Sequence, residues 1–229
     1  MKLTSLIITA STLLLPVVAS ASVYTVAATD NIYGAGLSTP PAPGGNGAGT
    51  LPLAIGVTGS AYQFQYLSGM VSPDSTKYSV DANGVIGQNT DITYSGGLSS
   101  SISDNGFSLV GVFLGAGGQP ITAPSALDFS TGALGVNFTS LTPQIGQVFF
   151  IGDGTNSSHV TQTFYVPTGA TELYLGFADG ENFVAPVGQY NDNIGSLNIS
   201  VNAVPEPAPM ALLVAGSALM AVLRFRNKR

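Results

Sequence analysis

The stretch "TELYLGFADGENFVAPVGQYNDNIGSLNISV", Thr171 to Val201, decides the fold. Both of its ends repeat with a period of two. Leu173, Leu175 and Phe177 share one face at the start, and Leu197, Ile199 and Val201 share one face at the end, with Asn198 and Ser200 opposite. That is the side-chain period of a β-strand with one buried face. The residues between them are rich in Gly, Asp and Asn, which is turn chemistry.

The same signature recurs outward along the chain. "SVYTVAA", "YQFQYL", "FSLVGVFL", "QVFFI" and "QTFYV" are short β-rich runs broken by Gly, Pro, Asn, Asp and Ser, and no long helical periodicity separates them. Eight or so strands at this spacing predict an all-β body, a β-sandwich or jelly roll with buried inner faces. "GLSTPPAPGGNGAGTLP", Gly36 to Pro52, holds five Gly and four Pro, which no strand interior or helix accepts. It reads as a long surface excursion, since strand-like sequence flanks it on both sides.

Positive charge is concentrated at the ends. The basic residues are Lys2, Lys77, Arg224, Arg226, Lys228 and Arg229, so Leu3 to Leu223 carries one Lys against twelve Asp and Glu. Such a body has nothing to neutralise phosphate, which excludes nucleic acid and anionic lipid as partners. It suits cations or neutral polar ligands, and calcium is the hard cation that oxygen-rich extracellular surfaces take. With no cysteine in the chain, disulfides, thiolate nucleophiles and Cys-ligated zinc are excluded.

Lys2 followed by "LTSLIITASTLLLPVVA" and by Ala19-Ser20-Ala21 has the layout of an export signal, residues 1–21, with Ser22 the first mature residue. One domain, residues 22–203, follows. The end, "VPEPAPMALLVAGSALMAVLRFRNKR", Val204 to Arg229, joins Pro-Glu-Pro to an uncharged run and a basic cluster. At about 1.5 Å per helical residue, Met210 to Leu223 spans roughly 20 Å, short of a bilayer core of about 30 Å. A membrane helix over 208–225, lengthened by snorkelling arginines, closes that gap. The basic end then stays cytoplasmic.

This ending resembles the PEP-CTERM sorting signal of Gram-negative bacteria. The resemblance implies that Pro205, Glu206 and Pro207 are read by exosortase, a membrane protease-transpeptidase. The implied route runs from the inner membrane, through an intermediate anchored by the C-terminal helix, to the cell surface or an exopolysaccharide matrix.

The connection after Phe177 carries the functional candidates. If "ELYLGF" and "SLNISV" pair as antiparallel neighbours, Asp179 meets Asp192 and Asn193 at one sheet edge. Two carboxylates and an amide gathered without Lys or Arg nearby would repel unless a cation lies between them. Calcium takes six to eight oxygens at about 2.3–2.6 Å, and the loop offers several, including the carbonyl of Gln189. Asx residues also populate ordinary turns, where they cap backbone groups. Spacing alone leaves both readings open.

A second resemblance bears on that choice. "TQTFYVPTGATELYLGFADG…VGQYNDNIGSLNISVN" is similar to the C-terminal half of the calcium-dependent galactose-binding lectins of the PA-I (LecA) type, loosely from Gly56 and well over Thr161 to Val201. It implies a galactose-binding-like jelly-roll β-sandwich. It also implies Asp179 as a ligand shared between calcium and sugar, Asp192 and Asn193 as the adjacent pair, and Asp179 and Asp192 facing sugar hydroxyls. The Gln189 carbonyl and one near Pro73, in "SGMVSPDS", would be main-chain ligands. Ile194 stands where a small polar residue is usual, and the only histidine, His159, lies away from this loop.

Three functions follow as expectations. The first is a calcium-binding surface or matrix protein that binds polysaccharide. The second is a ligand-free structural protein. The third is a polysaccharide-cleaving enzyme built on Asp179 and Glu181. Those carboxylates fall in a turn, and the chain has no tryptophan for sugar stacking, so the non-enzymatic readings lead.

Overall fold

Alternation in the Thr171–Val201 stretch becomes burial. Leu173, Leu175 and Phe177 have no exposed surface, and Leu197, Ile199 and Val201 are buried with them. The computed structural model describes residues 21–75 and 77–205. Twelve strands occur among them, with two short 3-10 turns and no longer helix. The expected signal helix and C-terminal helix lie outside the described residues, as do Glu206 and Pro207. No helix among the described residues is long and apolar enough to cross a membrane.

The strands are β1 (Ala21–Ala27), β2 (Leu53–Gly56), β3 (Ala61–Ser72), β4 (Val85–Ile92), β5 (Ser101–Gly106) and β6 (Leu109–Gly115). They continue as β7 (Asp128–Phe129), β8 (Ser140–Leu141), β9 (Val148–Phe150), β10 (Thr163–Tyr165), β11 (Ala170–Phe177) and β12 (Ile194–Val204). One sheet has the order β1-β12-β3-β10-β8, a second β2-β11-β6-β9, and a third β4-β5-β7. The expected all-β class holds.

One detail of the pairing does not. β11 bonds to β2 and β6, whereas β12 bonds to β1 and β3. The two strands expected to be neighbours therefore lie in different sheets. The reason is length: β12 pairs along its whole run with β3, from Ile194↔Ser72 to Val204↔Ala61. With β1 on its other edge, no edge of β12 remains for β11. The connection after Phe177 is thus a crossing from sheet to sheet, not a hairpin.

The two larger sheets share one aromatic core. Phe64 and Phe164 of the five-stranded sheet meet edge-on at 5.2 Å between ring centroids, and Phe164 stacks on Phe149 of the four-stranded sheet at 5.3 Å. Phe149 in turn stacks on Phe113 at 5.4 Å. Offset and edge contacts of this kind add about 0.5–1.5 kcal/mol per pair beyond burial of the rings. Without cysteine, this ring cluster is what ties sheet to sheet.

β4 and β5 have no strong sequence signature. "VIGQNTDI" and "SISDNG" alternate poorly because their register slips between Ile86 and Thr90, beside a left-handed Gly87. Ile86 is left outside, 77% exposed.

Adjacent residues on β10 give a test of inside and outside. Phe164 is fully buried while Tyr165 is 48% exposed. Urea unfolding of the full chain is expected to show Phe164→Ala losing about 3–5 kcal/mol and Tyr165→Ala no more than about 0.5 kcal/mol. Equal losses would contradict the assigned faces.

Candidate functional site

The crossing from β11 to β12 passes over the end of the molecule where β3 also stops. Asp179, Gln189 and Asp192 from the crossing, with Pro73 and Asp74 just after β3, line one cleft of about 240 Å³. Four of the five residues expected to form the site are therefore its walls. The fifth, Asn193, is buried beside them, and its Nδ2 donates to the Ala28 carbonyl at 3.3 Å.

Asp179 is held by its backbone. Its N–H donates to the Tyr190 hydroxyl at 3.1 Å, and that hydroxyl donates to the Phe177 carbonyl at 2.8 Å. Tyr190 is buried and its hydroxyl is pushed well above its ordinary pKa by burial, so it stays a neutral donor. The Gly188 N–H donates to the Asp179 carbonyl at 3.1 Å, and Gly180 bridges Val187. These bonds fold the loop back on itself and bring Asp179 to Asp192.

The side chains are less well satisfied. Asp179 is 2% exposed, and its Oδ1 accepts from the Gly180 N–H at 2.8 Å. Of the five buried side-chain oxygens without a hydrogen-bond partner among the described residues, three gather here: Asp179 Oδ2, Asp192 Oδ1 and Asn193 Oδ1. Burial pushes the Asp179 carboxyl up to about 8, opposed by the Asn193 side chain and the Gly180 N–H and reinforced by the charge of Asp192. Asp179 thus interacts with both of the other orphaned groups. Burying a polar group without a partner costs on the order of 1–3 kcal/mol, more if it is charged. The cluster has two ways out: take a proton, or take a cation.

Its side-chain donors are all oxygen. Two carboxylates, an amide oxygen and nearby main-chain carbonyls match an oxygen-only ligand set. Among the described residues no three His, Cys, Asp or Glu gather to hold a metal; here the third side-chain oxygen is an amide.

Sequence reasoning missed four things. The first is Lys77, which lines the cleft although the carboxylates were expected to have no Lys nearby. The turn after β3 brings it there. Its Nζ sits 5.0 Å from the centroid of the Tyr78 ring, a cation–π contact, and leaves Asp192 Oδ1 without a partner. The second is Tyr190, whose lone aromatic ring in a polar turn was the available sign of a buried role. The third is Phe183, the buried residue of the turn Glu181–Phe183, which packs edge-on against Tyr78 at 6.4 Å and whose carbonyl accepts from Thr90 Oγ1 at 2.9 Å.

The fourth is the Gly36–Pro52 loop, which braces the site. Gly44 N–H donates to Val187, while Gln189, Tyr190 and Asn191 N–H donate to Gly45, Gly47 and Asn46. Asn46 Nδ2 also reaches Gln189 Oε1 at 3.0 Å. Gly47 has φ +97, and a Cβ there would come within 2.7 Å of the Asn191 nitrogen, so only glycine permits the approach. Of the six non-glycine residues with left-handed φ among the described residues, four are Asn46, Asn182, Phe183 and Gln189. Strain of this kind persists where surroundings over-determine it, often at functional sites.

His159 is exposed in a separate turn, and Glu181, also exposed, lines the same cleft as Asp179. No protein-family model, no curated protein and no solved structure matches this chain.

The raised Asp179 carboxyl fixes a pH dependence. The folded chain keeps its proton up to about pH 8, while the unfolded chain loses it near 3.8. Between those values the folded state binds more protons, so stability falls as pH rises. In chelator, the melting temperature is expected to decline steadily from pH 5 to pH 8, and Asp179→Asn to flatten that decline. A wild-type profile already flat over this range would contradict the buried, orphaned carboxyl.

Proposed function

We propose that this chain is an exported, non-catalytic surface or matrix protein whose body is a jelly-roll β-sandwich holding a calcium ion. Asp179, Asp192, Asn193 and the carbonyls of Gln189 and the Pro73 turn hold the ion, and Asp179 and Asp192 face the carbohydrate hydroxyls it presents. The observation that carries this reading is that Asp179 and Asp192, from the two ends of one loop, line a single cleft with a partnerless buried oxygen each, and that Asn193, next to Asp192, holds a third. A bound divalent cation offers positive charge and open coordination positions, which vicinal hydroxyls of an exopolysaccharide can fill. The loop's bonds to Gly45, Asn46 and Gly47 keep the donors in place before any ion arrives, which lowers the cost of binding.

Topology supports a surface-facing role. Residue 21 pairs with Asn202, so β1 begins and β12 ends at the same pole. The cleft lies beyond Ile194, at the other end of β12, about 30 Å away at the usual rise of a strand. With export and sorting signals at the two chain ends, the anchored intermediate would present its cleft away from the membrane. Pro205, Glu206 and Pro207 act in this reading as exosortase's address, with no chemistry of their own.

Thermal unfolding tests the metal. A ligand bound only to the native state at a hundred times its Kd contributes about 2.7 kcal/mol, or roughly 5–10 °C for a chain of this size. Calcium is expected to raise the melting temperature by that amount over chelator, and Asp192→Ala to abolish the rise. An unchanged value would favour a purely structural protein. Mass spectrometry of chain recovered from a host with exosortase tests the address: the expected product begins at Ser22 and lacks the apolar segment 208–225, and an intact terminus through Arg229 would contradict processing.

A further inference from the structure

At the pole remote from the cleft, the five-stranded sheet turns an uncharged face outward. Register puts the outward side chains in rows across β1, β12, β3 and β10: Ala21, Asn202 and Gln63 in one, and Val23, Ser200 and Gln65 in the next. Gln63 Nε2 donates to Thr163 Oγ1 at 3.1 Å, which continues the first row onto β10. No Asp, Glu, Lys or Arg stands in these rows, although the chain as a whole carries a net charge of −6.

The face is walled on one side. Thr155 bridges Thr161, and this turn rises beside β3 to close a second cleft of about 290 Å³, lined by Gln63, Gln65, Thr155, Thr161, Ser200 and Asn202. The wall is fixed. Asp153 Oδ1 accepts from the N–H and hydroxyl of Thr155, Asp153 Oδ2 accepts from Asn83 Nδ2, and the Asp153 carbonyl accepts from the Tyr66 N–H. Inside the cleft, Asn202 Oδ1 is buried and has no hydrogen-bond partner. Gln65 is exposed, and Gln63, Ser200 and Asn202 are half-buried. Tyr165, two residues beyond Thr163 on the same outward side, leaves 48% of its surface exposed.

We infer that this cleft binds a neutral polysaccharide. Six of its eight lining residues carry amides or hydroxyls, which both donate and accept as sugar hydroxyls do, and Ala21 and Phe64 complete it with apolar surface. The absence of charge disfavours ionic ligands: nothing here would neutralise a phosphate or a uronate. Asn202 brings an unsatisfied amide oxygen to this wall, an acceptor left to pair once its side chain turns toward a ligand hydroxyl. Tyr165 offers an exposed ring for the apolar face of a sugar, one row along from the hydrogen-bonding groups. From the Ala61–Tyr165 row to the Ser200–Gln65 row the strand climbs about 13 Å, room for several sugar rings and not one alone. Asn202 lies near the far end of β12 from Asn193, nine residues on, so this binding needs no metal and does not rest on the calcium reading.

Affinity electrophoresis tests it. The full chain, held in a polyoxyethylene detergent, is run through gels containing galactomannan, xyloglucan or dextran, with alginate as the anionic control. Retardation is expected with at least one neutral polymer, equally in calcium and in EDTA, and not with alginate. The double variant Gln65→Ala/Asn202→Ala is expected to bind about tenfold more weakly, the loss of two hydrogen bonds of ordinary net strength, with an unchanged melting temperature. Ser200→Phe, which fills the cleft from an outward position, is a second route to the same loss should the double variant unfold. Migration unchanged in all three neutral gels would overturn the inference. So would retardation lost in EDTA, which would move the sugar to the calcium cleft and leave that reading standing, or retardation untouched by both variants.

Discussion

A carboxylate buried with one oxygen bonded to nothing is the constraint on which this structure turns. Asp179 Oδ1 accepts from the adjacent Gly180 N–H while its Oδ2 has no partner, and its carboxyl interacts with Asp192 and Asn193, which each hold an oxygen equally unsatisfied. Folded proteins rarely leave such groups together, because each forfeits its hydration without compensation. Everything near the cluster serves to keep it assembled. Tyr190 clamps the backbone leading into Asp179, and the Gly/Pro-rich loop hydrogen-bonds to three consecutive residues of the opposite flank. Left-handed Asn182, Phe183 and Gln189 add local strain. An arrangement that costs this much and is held this firmly is what the proposed cation site rests on.

The sheets make the arrangement possible by separating its two halves. Because β11 and β12 belong to different sheets, the segment joining them must cross the end of the shared core, and a crossing can fold inward over it. A tight hairpin on one sheet would have held the same residues at an edge in solvent. The aromatic cluster of Phe64, Phe113, Phe149 and Phe164 fixes the spacing of the sheets and with it the width that the crossing spans. Packing of rings at the centre and geometry of oxygens at the rim are in this way coupled.

Much of this was legible in the sequence, and the limits have physical causes. Strands with one face in the core, such as Leu197-Asn198-Ile199-Ser200-Val201, announce themselves through alternation. β4 and β5 do not, because a slipped register and a left-handed Gly87 break the period. Asp179, Asp192 and Asn193 could be selected because oxygen-bearing side chains in loops next to strong strands are few in so weakly charged a chain; Gln189 enters through its main-chain carbonyl in the same loop, and Pro73 only through the lectin resemblance. The partner strands of β11 and β12 could not, since pairing depends on all the other strands. Nor could the place of Lys77, which depends on how the turn after β3 folds. The uncharged outer face was spelled out in Asn198, Ser200 and Asn202, yet alternation reports only that such residues face outward. What they face is decided by the register with β3 and by the turn that rises beside it.

Terbium luminescence probes the cluster most directly. Tb³⁺ takes the oxygen ligands calcium takes, and it emits when a nearby tyrosine is excited. Tyr190 bonds to the Asp179 backbone and Tyr78 lines the cleft, so a lanthanide among these oxygens would have two antennae. The account predicts saturable green emission from the full chain on tyrosine excitation, displaced by calcium and absent from Asp179→Ala. Emission no brighter than the free ion, or brightness unaltered in that variant, would mean the orphaned oxygens hold no metal.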